Sequence, residues 1–120
     1  MKMKEIFSND FLPIRQKKLF LYDQYFNLFT KLYKNNLLPN KILLTGQSGL
    51  GKLTFAYHFI NSILSDKENC PYDFINFTIN PLNRSFRLIK QLCHTNFYLI
   101  ENFDDKQSID IRQVKNMISF

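Results

Sequence analysis

The stretch GQSGLGKLT, Gly46 to Thr54, decides how the rest of the chain is read. It follows the phosphate-loop pattern G-x-x-x-x-G-K through Gly46, Gly51 and Lys52, then departs from it where a serine or threonine belongs and Leu53 stands. Immediately upstream, KILLTG (41–46) is a short apolar run ending in glycine, as suits a buried strand of a parallel sheet. Immediately downstream, KLTFAYHFINSILS carries the rows Phe55, Phe59, Ile63 and Ala56, Ile60, Leu64, each stepping by four, which predicts a helix that starts at the loop. Strand, loop and helix in that order are what phosphate capture needs. Gly46, Gly49 and Gly51 let the backbone turn N–H groups around phosphate oxygens, the helix presents its positive end, and Lys52 reaches the terminal phosphates. The candidate nucleotide-binding residues are therefore Gly46, Gln47, Ser48, Gly49, Leu50, Gly51, Lys52, Leu53 and Thr54.

The departure concerns catalysis. The residue after the lysine normally gives a hydroxyl to Mg²⁺, which bridges the β- and γ-phosphates during transfer, and Leu53 has none. Thr54 comes one residue later, about 100° further around a helix, so its hydroxyl points away from the metal. Binding of ATP is expected to survive, with Mg²⁺ weakened and efficient hydrolysis lost. No catalytic residue and no metal ligand is assigned. Glu101, after the apolar FYLI, is the one carboxylate placed to serve a metal, but Asn102 follows it where an acidic partner is preferred. An acidic loop at a strand end accounts for Glu101 better.

Outward from the loop, Tyr22, Phe26, Phe29, Leu32 and Tyr33 recur at helical spacing between Lys17 and Asn35, and NNLLPN stops that helix at Pro39. FINFTIN (74–80) alternates as a strand does, and Phe86, Ile89, Leu92 and Cys93 predict a helix. FYLI (97–100) predicts another buried strand, and Asp110 with Gln113 forms a capping box for a last helix through Ile111, Val114 and Ile118. The alternation predicts an α/β fold, a P-loop NTPase-like three-layer parallel sheet with flanking helices. Residues 1–16 read as an N-terminal arm and 17–120 as the domain. About three strands, and a final helix that ends inside its apolar pattern, are expected of part of a larger α/β domain.

With 120 residues, 45% of them apolar and 16% aromatic, the chain is long and apolar enough to bury a core. There is no run of about eighteen apolar residues and no signal peptide at MKMKEIFSND, so the cytoplasm is expected and a membrane is not. Cys70 and Cys93 stand far apart without metal-ligand spacing, which predicts ordinary thiols and no zinc. A net charge of +6 suits an anionic partner such as nucleic acid, although lysine, asparagine, isoleucine and phenylalanine together also mark an AT-rich genome.

Three further constellations carry a plainer reading beside a functional one. Arg84, Arg87 and Lys90 make a basic stripe that fits DNA or an acidic subunit, and fits a solvated helix face better. His58 and His94 read as polar or capping residues rather than ligands. Tyr22, Phe26 and Phe29 have rings that stack on bases, but helical spacing favours core packing.

Three stretches together, LLPNKILLTGQSGLGKLTFAYHFINSIL (37–64), FRLIKQLCHTNFYLIE (86–101) and IDIRQVKNMISF (109–120), resemble the N-terminal part of the delta-prime family of bacterial DNA polymerase III clamp-loader subunits, which are AAA+ proteins. The resemblance spans residues 19 to 120 and includes a threonine displaced one place beyond the loop lysine. It implies a subunit that assembles with other clamp-loader subunits and supports loading of the sliding clamp at primer-template DNA, often with an incompetent nucleotide site. It places the Walker B strand, sensor motif and collar beyond Phe120. The four-cysteine zinc module of some relatives has no counterpart here. Three alternatives stay open: an active AAA+ ATPase motor, a small nucleotide kinase, and a regulatory AAA+ relative outside replication. Leu53 speaks against the two enzymes.

Overall fold

The computed structural model describes residues 12–101 and 109–120. Over that range the ordered elements are helices: α1 (Asp23–Lys34), α2 (Lys52–Leu64), α3 (Arg84–Lys90) and α4 (Ile111–Ile118), with a single 3-10 turn at Pro13–Arg15. Most of the expected arm, residues 1–11, and the acidic loop after Glu101, residues 102–108, lie outside the described residues. Among the described residues, no helix is long and apolar enough to cross a membrane.

Aromatic residues at three- and four-residue spacing make the core. Phe26 of α1 is fully buried, stacks on Tyr72 at 5.1 Å and meets Phe55, Phe59 and Phe77 edge to face at 5.5–6.1 Å. Leu19, Ile79 and Phe86 complete the cluster, with Tyr22, Phe29 and Ile63 packed at its edge. Edge-to-face pairs add about 0.5–1.5 kcal/mol each beyond burial, so a ring with this many partners anchors both long helices. The helix termini follow local chemistry. Asp23 opens α1, Lys31 and Lys34 close it, and Asn36 takes the left-handed conformation (φ 56°) after its last turn.

The sheet is absent. Among the described residues there is no strand, which overturns the reading of a P-loop NTPase-like three-layer parallel sheet. Each expected strand fails for a visible reason. FINFTIN is captured by the residue before it: the Asp73 carboxylate accepts the main-chain N–H groups of Ile75 (2.9 Å) and Asn76 (3.0 Å). Asp73 and Thr78 then exchange main-chain hydrogen bonds at 3.0 and 3.2 Å, making a tight turn with Phe77 at φ 51°. Beyond that turn, the pairing among the described residues is one antiparallel bridge two bonds long, Leu19 N–H to Phe77 C=O (3.0 Å) and Ile79 N–H to Lys17 C=O (2.8 Å). KILLT lies largely exposed, Leu43 at 85%, with Leu44 alone packed against the edge of the aromatic core and no strand beside it among the described residues. FYLI is irregular; Phe97 leans on Tyr57 at 6.1 Å instead of pairing.

The predicted helices form in shorter versions: α1 begins at Asp23 rather than near Lys17, and α3 ends at Lys90, before Leu92 (φ 57°) and Cys93. Asp110 caps α4 by accepting from Arg112 N–H at 2.9 Å, but the Gln113 amide turns away to exchange hydrogen bonds with the Glu101 main chain. The capping box is thus half made. Asn83 caps α3, its Oδ1 accepting from Phe86 N–H at 2.8 Å and from the Asn61 amide at 3.0 Å, while its own amide donates to the Cys70 carbonyl at 2.8 Å. Among the described residues no buried side-chain nitrogen or oxygen lacks a partner.

Candidate functional site

The loop from Gly46 to Thr54 lies exposed at the start of α2. Gly51 is the cap residue in the left-handed conformation (φ 83°, ψ 19°), where a Cβ is strained. Gly51 has no side chain with which to cap the helix, so the N–H groups of Lys52, Leu53 and Thr54 have no intrahelical acceptor, the first such bond being Phe55 N–H to Gly51 C=O at 3.0 Å. Lys52 folds back over the start of the loop, its Nζ donating to the carbonyls of Gly46 (2.6 Å) and Gln47 (2.9 Å). An ammonium has three donors, and these two bonds leave one to meet an anion beside the helix end. The structure thus brings together Gly46, Gln47, Gly51 and Lys52 as a cationic turn.

Lys52 and Thr54 open onto different hollows. Lys52 lines a cavity with Tyr22, Tyr25, Phe29 and Phe55, whereas Thr54 lines a groove with Gln16, Leu19, Phe20 and Gly49. Two helical residues are about 200° apart around the axis, which accounts for the separation. Leu53, between them, is 46% exposed.

The cavity beside Lys52 was not foreseen in the sequence. It has a volume of about 410 Å³, and its walls come from α1 and from the end of the KILLT run. Tyr22 is its hinge point: the phenol donates to the Leu50 carbonyl, and the ring packs on Phe55 at 5.4 Å, tying α1 to the loop. The signal was present as a second aromatic row, Tyr22, Tyr25 and Phe29, one step around α1 from the buried Phe26. Core packing claims Phe26 completely and Tyr22 and Phe29 only in part.

The remaining candidates take structural places. Glu101 is exposed, and no hydrogen bond or ion pair joins it to Lys52 or Thr54 among the described residues; its charge acts instead on Tyr57, whose hydroxyl is pushed up mainly by burial and secondarily by Glu101. Arg84, Arg87 and Lys90 face solvent, with Lys90 5.0 Å above the Phe86 ring. Cys70 and Cys93 are free thiols.

Both histidines are buried and fully engaged. His58 Nε2 lies 2.8 Å from the Gln16 carbonyl, so it carries the proton, and Nδ1 accepts from the Tyr72 hydroxyl at 2.9 Å. In the same way His94 Nδ1 accepts from Asn96 N–H (3.0 Å), which leaves Nε2 to donate to Ser85 Oγ at 3.2 Å. Ser85 Oγ in turn donates to Glu68. The order Glu68–Ser85–His94 puts the hydroxyl between the other two with its proton on the carboxylate, so His94 is no base toward Ser85 and the trio braces the start of α3.

No family model, no curated protein and no solved structure matches this chain.

Proposed function

We propose that this chain binds the phosphates of a nucleotide, with ATP as the first candidate, in the Gly46–Thr54 loop without turning it over efficiently, and that it serves DNA replication as a subunit of a bacterial clamp loader. The observation that carries the first half is the Lys52 ammonium held 2.6 and 2.9 Å from the Gly46 and Gln47 carbonyls at the uncapped start of α2. Phosphate capture asks for main-chain N–H groups, a helix start and a cation, and it does not depend on a sheet beneath them. Leu53, where a metal-binding hydroxyl belongs, is the reason for slow or absent hydrolysis.

The second half rests on the three stretches that resemble delta-prime subunits and on the charge of +6. In that role the chain works in the cytoplasm, meets other clamp-loader subunits directly, and meets primer-template DNA and the sliding clamp through the complex. The test combines turnover with assembly. Wild-type protein and Lys52→Ala are reconstituted with the other clamp-loader subunits, and ATP hydrolysis and clamp loading are both measured. Unchanged clamp loading by the variant and negligible hydrolysis by the isolated chain support the proposal. DNA-stimulated hydrolysis that disappears with Lys52→Ala makes the chain a motor instead. Failure to assemble with the clamp-loader subunits removes it from replication.

A further inference from the structure

Four cations outside the loop share one hollow. Arg15 of the 3-10 turn, Lys17 and Lys18 of the segment after it, and Lys90 at the end of α3 line a concavity of about 540 Å³ together with Gln16 and Phe86. That volume lies within the range of small-molecule sites. No carboxylate is among these lining residues. None of the four cations forms an ion pair among the described residues, whereas Arg112 pairs with Asp110 at 3.4 Å. Like charges gathered without a counter-charge repel one another, so an anion entering the hollow relieves that repulsion in addition to making its own contacts.

The main chain that carries these charges is pinned from within. The Gln16 carbonyl accepts from the buried His58 Nε2–H at 2.8 Å, and the Lys17 carbonyl accepts from Ile79 N–H at 2.8 Å. Lys18 Nζ donates to the Asn76 carbonyl, which holds that ammonium in place and leaves it two further donors. Lys90 Nζ stands 5.0 Å above the Phe86 ring. Charges already held in place cost less to order when a ligand arrives. Phe86 is only 4% exposed, so it offers no face on which a nucleic-acid base can stack. Charge density favours phosphate over carboxylate: a phosphate group brings about 1.5 to 2 negative charges at neutral pH and three acceptor oxygens, a carboxylate only one charge. A small molecule with two or three phosphates therefore neutralises the hollow within its volume.

We propose that this hollow is an anion site separate from the Gly46–Thr54 loop, and that its ligand is a compact small molecule carrying several phosphate groups. The Arg15 guanidinium grips one phosphate through paired N–H groups, and the three lysines neutralise the rest as point charges. The site does not rest on the phosphate-loop reading.

The test is calorimetric titration of the full chain with inorganic tripolyphosphate, orthophosphate and a short single-stranded oligothymidylate, at an ionic strength of about 0.15 M so that diffuse attraction is screened. All titrations are made in a Lys52→Ala background, which takes the cation out of the loop. Arg15→Gln/Lys90→Gln is compared with Arg84→Gln/Arg87→Gln, which removes the same charge from exposed positions of α3 outside the hollow. A charge-assisted hydrogen bond is worth about tenfold in affinity, so the first pair should weaken tripolyphosphate binding about a hundredfold and the second by less than about threefold. Tripolyphosphate should bind at least about tenfold more tightly than orthophosphate by the same reckoning. Equal losses in the two double variants assign the binding to net charge and overturn the site. Orthophosphate binding as tightly as tripolyphosphate overturns the need for several phosphates. Oligothymidylate binding more tightly than tripolyphosphate, and lost in Arg15→Gln/Lys90→Gln, makes the hollow a nucleic-acid surface and overturns the small-molecule assignment. Absence of tripolyphosphate binding overturns the proposal while leaving the loop to its own test. All four positions are exposed and glutamine keeps most of each stem, so the fold is retained, and circular dichroism checks this for each variant.

Discussion

His58 and Tyr72 share a hydrogen bond of 2.9 Å in the centre of the molecule, the imidazole accepting at Nδ1 while its Nε2–H donates to the Gln16 carbonyl. The pair joins α2 to the turn at Asp73 and to the segment before α1. Protonating the ring would give Nδ1 a proton opposite a hydroxyl that already donates there. Burial is the larger obstacle: it lowers the His58 pKa from 6.5 to about 4, with the nearby Lys18 charge acting in the same direction and the Gln16 carbonyl opposing.

The pH dependence follows with a definite sign. Between pH 6.5 and about 4 the unfolded chain binds a proton at His58 that the folded chain refuses. Stability therefore rises with pH across that window and levels off above it, the whole effect being about 3 kcal/mol for a single site. Urea midpoints measured from pH 4 to pH 8 should show the slope. In His58→Phe the absolute stability falls, since Tyr72 and Gln16 lose a partner, but the slope attributable to this window should vanish. An unchanged slope in the variant assigns the titration to other groups.

Two substitutions separate the helical fold from the sheet that the sequence pattern suggests. Phe26→Ala removes a ring with no exposed surface and should cost about 3–5 kcal/mol, enough to unfold much of the protein. Leu43→Ser touches a side chain that is 85% exposed here, and should change stability by less than about 0.5 kcal/mol. In a central parallel strand the same leucine would be core, and its loss would approach that of Phe26. Thermal melts of the two variants side by side decide between the arrangements.

The helices were legible because each carries its own pattern. The four-residue steps Phe55–Phe59–Ile63, the NNLLPN stop after α1 and the Asp110 cap are local signals, and the structure uses them. The strands were not legible, because a strand is defined by its neighbour. KILLT and FYLI are apolar enough for a sheet, yet with α1 and α2 already packed ring against ring neither finds a partner. FINFTIN looks alternating only if Asp73 is ignored. The turn that Lys52 closes could be located from Gly46, Gly51 and Lys52, whereas the cavity beside it could not, since it is made where α1 meets the loop and no periodicity reports such a meeting.

Leu21 offers a stabilising change. It is 96% exposed and sits at φ 67°, a conformation that costs a branched side chain about 1 kcal/mol and glycine almost nothing. Leu21→Gly should raise the urea midpoint by the equivalent of a few tenths to about 1 kcal/mol, the gain from strain relief being partly offset by a more flexible unfolded chain. A loss of stability would mean that the leucine makes a contact in solution that its exposure hides.

Leu53 makes the sharpest claim about the loop. It follows Lys52 directly, is 46% exposed, and so can be exchanged without disturbing the core. If the missing hydroxyl is what weakens the metal, wild-type protein should bind ATP equally well in Mg²⁺ and in excess EDTA. Leu53→Thr restores a ligand at the position where it meets a β,γ-bridging ion, and should bind ATP about tenfold more tightly in Mg²⁺ than in EDTA, the equivalent of one good contact of about 1.4 kcal/mol. Thr54→Ala in the same background should leave that gain intact, because Thr54 opens onto the other groove. If instead the wild-type protein already shows the full Mg²⁺ dependence and Thr54→Ala removes it, the displaced threonine is the metal ligand, and the loop is competent for metal-dependent chemistry despite Leu53.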